Sequence, residues 1–138
     1  MAFRSDINQD KLIYKYMLAH PKYLPFVNER FFDNNDLQVI AVKAKEFYAE
    51  YGEPPSMLQM QALMKGNTHD ITNDTIEALY NIDIESADVE WLKETCEGFI
   101  KYKTVVNNTC NVGVYLKTTE VSLSNVNHIV DKCIDMIA

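Results

Sequence analysis

The feature that most constrains the fold of this chain is a stretch without proline, residues 88–118, whose apolar side chains repeat with a helical period. The repeat is made by Trp91, Thr95, Phe99, Tyr102, Val106, Cys110 and Gly113. Steps of three and four residues place side chains on one face of an α-helix. The stretch therefore predicts one long helix with this face against a core. Gly98 and Gly113 each cost a helix about 1 kcal/mol relative to Ala, which argues against a perfectly straight helix.

Glycine and proline are scarce in the rest of the chain as well. The 138 residues include 4 Gly and 4 Pro, too few to make the turns that a many-stranded sandwich or barrel requires. Apolar spacing predicts further helices over residues 11–19, 36–51 and 74–81. Ser56 and Gln59 form a capping box that opens one more short helix, which Gly66 ends.

These elements predict an all-α fold with one domain overall. Residues 1–87 are expected to form a compact head of short helices, and residues 88–138 a long C-terminal antiparallel helical hairpin. A last helix completes the hairpin and carries Val126, Val130, Cys133 and Ile137 along one stripe, with Ile129 and Met136 beside it.

The charge of the chain opposes binding to nucleic acid. Its 13 Lys and Arg against 20 Asp and Glu give a net charge of −7, and the cations form no run or stripe. We therefore expect no tight DNA binding by these residues, because such binding depends on cations that meet phosphates. Without a signal-peptide core or about 18 consecutive apolar residues, the sequence predicts a cytoplasmic protein that has no membrane association.

The sequence contains no recognisable catalytic, cofactor or metal site. Its four glycines are isolated, whereas a phosphate-binding loop needs clustered glycines before a Lys and a Ser or Thr. No Cys and His pair has zinc-site geometry, since His128 and Cys133 fall on different helical faces. We expect His20, His69 and His128 at the surface or at helix ends, and Cys96, Cys110 and Cys133 as reduced core residues. Catalysis would require groups distant in sequence to converge.

The acidic segment from Asp83 to Glu94 has the length of a calcium loop but not its pattern. Ala87 stands at the fifth place, where an oxygen ligand is required, and Asp88 at the sixth, where the loop needs glycine. Acidic residues at the start of a long helix interact favourably with its dipole, which is a sufficient explanation of the segment.

The aromatic residues are predicted to belong mainly to the core. The 8 Tyr, 6 Phe and 1 Trp could stack on bases in a single-strand groove, but no cations flank them. Tyr48 and Tyr51 fall on the apolar side of the predicted helix over residues 36–51, so we assign both to the core.

A second apolar stripe on the long helix predicts a surface for self-association. Beyond Lys103 it includes Val105, Val112 and Leu116, with Tyr115 at its flank, and one neighbouring helix cannot cover both stripes. With residues of the last helix, the candidate interface consists of Val105, Val112, Tyr115, Leu116, Ile129 and Met136. The alternative is that the hairpin folds back against its own head.

Four strings of the sequence resemble the N-terminal domain of DnaB-type replicative DNA helicases. DKLIYKYMLAHP resembles the first helix of that domain, and FFDNNDLQVIAVKAKEFYAEYGEPPS resembles its aromatic pair, the next helix and a Gly-x-Pro. IEALYNIDIESADVEWLKETCEGFIKYKTVV resembles its short helix, connecting loop and long hairpin helix. SNVNHIVDKCIDMI resembles the second hairpin helix, so the resemblance covers residues 10–137.

The resemblance implies a non-catalytic collar domain that oligomerises through its hairpins and docks a primase or a helicase loader. In that family the ATP- and Mg²⁺-dependent motor that unwinds DNA at the replication fork lies in a following domain. We would then expect an ATPase domain after residue 138, and a bacterial or phage source. A stand-alone helical adaptor or replication regulator with the same fold is the alternative, ahead of an unrelated enzyme or a small DNA-binding protein.

Overall fold

The computed structural model describes residues 7–66, 71–85, 88–120 and 122–137, and these residues form helices and connecting turns without a strand. In chain order the elements are α1 (Ile7–Ala19), a 3-10 helix (Pro21–Phe26), α2 (Asn35–Tyr51), α3 (Met57–Met64), α4 (Asn73–Tyr80), α5 (Val89–Thr118) and α6 (Val126–Ile137). The predicted all-α class is confirmed. His69 and Ala87, which the sequence interpretation used, lie outside the described residues.

The helix ends follow local signals in the sequence. The Asn34 side chain accepts a hydrogen bond from the backbone N–H of Leu37 at 3.0 Å and so caps α2. Gly52 ends α2 with a left-handed φ of 76°, a conformation that costs glycine little. The capping box of Ser56 and Gln59 opens α3 as predicted.

Two elements differ from the prediction near the N-terminus. Helix α1 begins at Ile7 rather than at Lys11, because its polar first turn carries no apolar repeat that could reveal it. The 3-10 helix from Pro21 to Phe26 is not among the helices that the apolar spacing predicts. Proline suits a first helical position, since its fixed φ matches the helix and its missing N–H would have no helical partner there.

Two compact units divide the chain, and the boundary between them falls inside α5. Unit 1 is Met1–Ile100 and unit 2 is Lys101–Ala138. In unit 1, α2 packs against the 3-10 helix and α3, while α4 packs against α1 and α3. The continuous core cluster lies wholly in this unit and extends from Ile13 to Ile100.

The loop before α2 is held so that two phenylalanines enter the core of unit 1. The side chain of Gln38 accepts a hydrogen bond from the Phe32 backbone N–H at 2.7 Å and donates one to the Asn28 carbonyl at 2.6 Å. Phe31 and Phe32 meet the ring of Phe99 at centroid distances of 5.1 and 5.7 Å. Side-chain hydrogen bonds to the backbone thus order a loop that carries a large part of the core.

The predicted core face of α5 is wrong over its first turns. Leu92, Cys96, Phe99 and Ile100 are buried, whereas Trp91 and Tyr102 are exposed by 47% and 41%. Both stripes contain Phe99. The other positions of the buried stripe are shifted by one residue along the chain, which turns the buried face by about 100° around the helix. The buried stripe contains apolar residues, whereas the predicted one includes the polar Thr95.

Two further core assignments need correction. Tyr48 packs partly buried against the core, but Tyr51 is exposed because α2 ends there, at Gly52. The three cysteines are free thiols, of which Cys96 is buried, Cys133 is intermediate and Cys110 is exposed. Cys110 precedes Val112, the buried residue of that part of α5, by two positions, and therefore points to the opposite side of the helix.

Unit 2 contains the C-terminal part of α5, a polar connection and α6. The Asn125 side chain accepts a hydrogen bond from the Ser122 backbone N–H at 2.7 Å and donates one to the Glu120 carbonyl at 2.9 Å. The Lys132 ammonium of α6 lies 5.1 Å from the centre of the Tyr115 ring of α5. These two helices are therefore neighbours at this point.

Candidate interaction surface

The candidate interface predicted from the sequence separates into covered and exposed residues. Val112 and Ile129 are buried within the single chain, and Tyr115 and Met136 are intermediate. Val105 and Leu116 are exposed by 49% and 45%. Of the six residues, these last two offer free apolar surface.

Helix α6 adds an exposed apolar stripe that the sequence interpretation did not include in the interface. Val130, Ile134 and Ile137 are exposed by 49%, 58% and 43%. Their spacing of four and three residues places them on one face, centred about 100° from the buried Ile129. The apolar side of α6 is thus wider than the part covered within the chain.

The width of this apolar arc could have been found in the sequence. The residues 126, 129, 130, 133, 134, 136 and 137 are all apolar. They span roughly 160° of the helix circumference, more than the stripe of about 100° that suffices for one core-facing side. An arc of this width is broader than the side that one neighbouring helix covers.

The opposite side of α6 is polar. His128, Asp131, Lys132, Asp135 and Met136 line a shallow groove of about 440 Å³. The groove lies along a single helix, so side chains from other elements do not converge on it. This arrangement is typical of a solvated helix face rather than of a binding pocket for a small molecule.

The buried titratable groups of unit 1 are arranged for stability rather than for catalysis. Burial, with the nearby Glu97 carboxylate, raises the pKa of the Cys96 thiol to about 12. A cysteine in this state is a poor nucleophile, because the thiolate is the reactive form. Burial and a hydrogen bond donated to Glu97 Oε1 at 2.8 Å raise the pKa of Tyr23 to about 12.

A second buried tyrosine joins helices α1 and α4. The hydroxyls of Tyr14 and Tyr80 lie 3.4 Å apart. Burial is the main cause that raises the pKa of Tyr14, and the interaction with Tyr80 raises it further. Tyr80 also donates a hydrogen bond to the Pro55 carbonyl at 3.2 Å, and Lys15 donates one to the Tyr80 carbonyl. These bonds connect α1, α4 and the segment before α3 within unit 1.

Acidic residues before α5 cap local backbone. Asp83 Oδ1 accepts a hydrogen bond from the Glu85 backbone N–H at 2.8 Å, and Asp88 Oδ1 accepts one from Trp91 at 3.0 Å. Asp88 is therefore the cap of α5, a role that agrees with the helix-start interpretation of this segment. His20, expected at a helix end, follows α1 and stacks on Tyr16 with ring centroids 4.4 Å apart.

Within the described ranges, no three His, Cys, Asp or Glu side chains form a group that could hold a metal ion. The helices over those same residues are all too short or too polar to span a membrane.

Comparisons of the chain with models of protein families, with curated proteins and with solved structures found no match.

Proposed function

We propose that this chain is a non-catalytic domain for oligomerisation and partner docking, of the kind that forms the N-terminal collar of DnaB-type replicative helicases. In this proposal α5 and α6 form an antiparallel hairpin that pairs with the hairpin of a second copy. The motor that uses ATP and Mg²⁺ would belong to a separate domain, and a primase or a loader would bind the collar. The resemblance of residues 10–137 to that family supports the assignment.

The order and lengths of the helices agree with such a collar. Short helices fill the first part of the chain, followed by the long α5 (Val89–Thr118) and the shorter α6 (Val126–Ile137). A brief connection between two helices favours an antiparallel neighbour. The contact of the Lys132 ammonium with the Tyr115 ring supports this pairing, because it brings one residue of each helix together.

The exposed apolar residues of the two helices fall on the same side of this hairpin. The contact between Tyr115 and Lys132 marks one side, and in the proposed hairpin the buried Val112 and Ile129 face each other between the helices. At about 100° per residue, Leu116 is rotated around α5 from Val112, and Ile134 is rotated around α6 from Ile129. Both rotations lead to the side of the hairpin away from the Lys132 contact. The surface defined by Val105, Leu116, Val130, Ile134 and Ile137 is named the outer apolar face.

The observation that carries the proposal is the exposure of this outer apolar face, since each of its five residues is more than two-fifths exposed. Several exposed apolar side chains on one side of a helix pair are typical of a protein interface. The rims carry opposite charges, with Lys117 following Leu116 on α5 and Asp131 following Val130 on α6. A second copy related by a two-fold axis can place such rims against each other.

Charge substitutions on and off the outer apolar face test this proposal. We expect Val105→Glu combined with Ile134→Glu to shift the domain toward the monomer mass of 15.9 kDa, because burying an unpaired charge at an interface is costly. Light scattering measures the mass, and circular dichroism measures the helical content, which should be retained. Val112→Glu is unsuitable for this test, since Val112 is buried in the single chain.

Val114→Glu provides the matched control on α5. Val114 is an exposed valine like Val105, but it lies on the opposite side of the helix, about 180° away. The control should keep the mass of the unmodified domain. An equal mass change in both variants, or a monomeric unmodified domain at high concentration, would contradict self-association through the outer apolar face.

A stand-alone helical adaptor with the same fold remains the second candidate. It is consistent with the same apolar surface, and it differs in having no motor domain. The coding sequence that follows residue 138 distinguishes the two, since a helicase should present a P-loop within about a hundred residues. The oligomer test alone does not separate them.

A further inference from the structure

A cleft in unit 1, distant in sequence from the outer apolar face, combines an apolar floor with a charged rim. It has a volume of about 410 Å³ and lies between α1, α2 and α4. Leu37, Ile40 and Leu79 form its floor, and Ile7 and Ala78 contribute apolar walls. A volume of this order above an apolar floor is typical of binding clefts.

The rim of the cleft carries two carboxylates that occupy equivalent positions in two helices. Asp36 is the second residue of α2, after its cap Asn34, and Asp74 is the second residue of α4, after its cap Thr72. Lys11 of α1 is the one cation among the lining residues. The rim therefore has a net negative charge above an apolar floor.

We propose that this cleft binds a short amphipathic helix of another protein, with an apolar stripe on the floor and Lys or Arg side chains against Asp36 and Asp74. Charge complementarity selects this occupant, because a basic flank meets the acidic rim while apolar side chains replace water over Leu37, Ile40 and Leu79. The same rim disfavours nucleic acid, whose phosphates would meet two carboxylates. The proposal concerns unit 1 alone and does not rest on self-association of unit 2.

Fluorescence anisotropy with a defined probe tests this proposal on the full chain. The probe is a fluorescein-labelled peptide of about 14 residues, roughly four helical turns, composed of Leu, Lys and Ala with leucines along one face. We expect a Kd on the order of 10 µM, which rises as salt is increased to about 1 M, where the Debye length is about 3 Å. A peptide with Glu in place of each Lys should bind at least about fivefold more weakly.

Variants of the cleft separate the apolar from the electrostatic contribution. Ala78 is exposed, so Ala78→Trp should fill the cleft without disturbing the core and should weaken probe binding by more than about tenfold. Asp36→Asn with Asp74→Asn should weaken it about fivefold and reduce its salt dependence. Glu50→Gln with Glu94→Gln is the matched control, because it removes two exposed carboxylates that do not line the cleft.

Several outcomes would overturn the proposal. If the peptides with Lys and with Glu bind with equal affinity, the carboxylates of the rim do not contribute to binding. If Ala78→Trp leaves binding of the probe unchanged, the probe binds outside the cleft. If the probe binds a chain shortened by residues 1–6 but not the full chain, the N-terminal segment of the chain itself is the occupant. Oligomer mass is measured in the same samples, so failure of this cleft proposal stays distinguishable from failure of the self-association proposal.

Discussion

Units 1 and 2 differ in how far each satisfies its own apolar side chains. The whole core cluster, from Ile13 to Ile100, belongs to unit 1, where six helical segments supply side chains to one interior. Over the described part of unit 2, the buried apolar residues are Val112 and Ile129. The apolar residues of the outer apolar face remain exposed there. Unit 1 therefore buries most of its large apolar side chains through its own contacts, whereas under our proposal unit 2 would gain further stability from a second copy.

The difference has a simple geometric origin. Helices α1, α2, α3 and α4 of unit 1 each pack against two other elements, so most of their apolar side chains find a neighbour, although Leu58 stays exposed. In a pair of helices, each helix covers only one side of the other. The apolar arc of roughly 160° on α6 is therefore wider than the side that α5 can cover. If the outer apolar face pairs with a second copy as proposed, association stabilises it, and the stability of unit 2 then depends on protein concentration.

The largest expected effect comes from removing an aromatic side chain from the core of unit 1. Phe31 is fully buried and meets Phe32 and Phe99 edge to face. We expect Phe31→Ala to lower the free energy of unfolding by about 3–5 kcal/mol, because it leaves a cavity among these rings. Urea denaturation measures this loss, which should be the same at low and high protein concentration.

Phe26→Ala is the control for that substitution. Phe26 is more than half exposed, so its replacement should change the free energy of unfolding by less than about 0.5 kcal/mol. A small effect of Phe31→Ala, or one that grows on dilution, would mean that unit 1 also depends on association and would break the contrast between the units.

A smaller effect is expected from the hydrogen bond between the 3-10 helix and α5. Tyr23→Phe removes the bond to Glu97 and should cost about 1 kcal/mol at neutral pH. The folded-state pKa of Tyr23 is raised from 10.0 to about 12, so its contribution is complete below pH 10 and is lost as pH rises toward 12. Denaturation at several pH values should therefore show the two proteins converging in stability above pH 10, and a constant difference would contradict this assignment.

Helix positions could be predicted from the sequence because their ends depend on neighbouring residues. Asn34, Gly52 and the capping box of Ser56 and Gln59 act within a few residues, through hydrogen bonds and backbone conformation that the local sequence specifies. Element class and bounds follow from such signals together with the apolar period.

The orientation of α5 could not be predicted in the same way. Trp91 is adjacent to Leu92, and Phe99 to Ile100, so two apolar stripes about 100° apart are both compatible with the sequence. Which stripe is buried depends on Phe31 and Phe32, which contact Phe99 from a distant loop. Tertiary packing therefore determines which stripe of α5 is buried, because the apolar period alone is compatible with both.

The candidate sites were predicted unevenly for the same reason. Val105 and Leu116 could be identified on one helix, whereas the exposure of Ile134 depends on how much of α6 its neighbour covers. The cleft between α1, α2 and α4 had no sequence signal, because Lys11, Asp36 and Asp74 come from separate parts of the chain. Convergence of distant residues is a property of the folded chain.

Hydrogen exchange at two protein concentrations, about a hundredfold apart, tests the contrast between the units most directly. We predict that backbone amides in α6 exchange more slowly at the higher concentration, because association closes the outer apolar face and suppresses local opening. Amides in α1 and α2 should exchange at the same rates at both concentrations. Exchange in α6 that does not depend on concentration, or equal slowing in α1 and α2, would contradict the account.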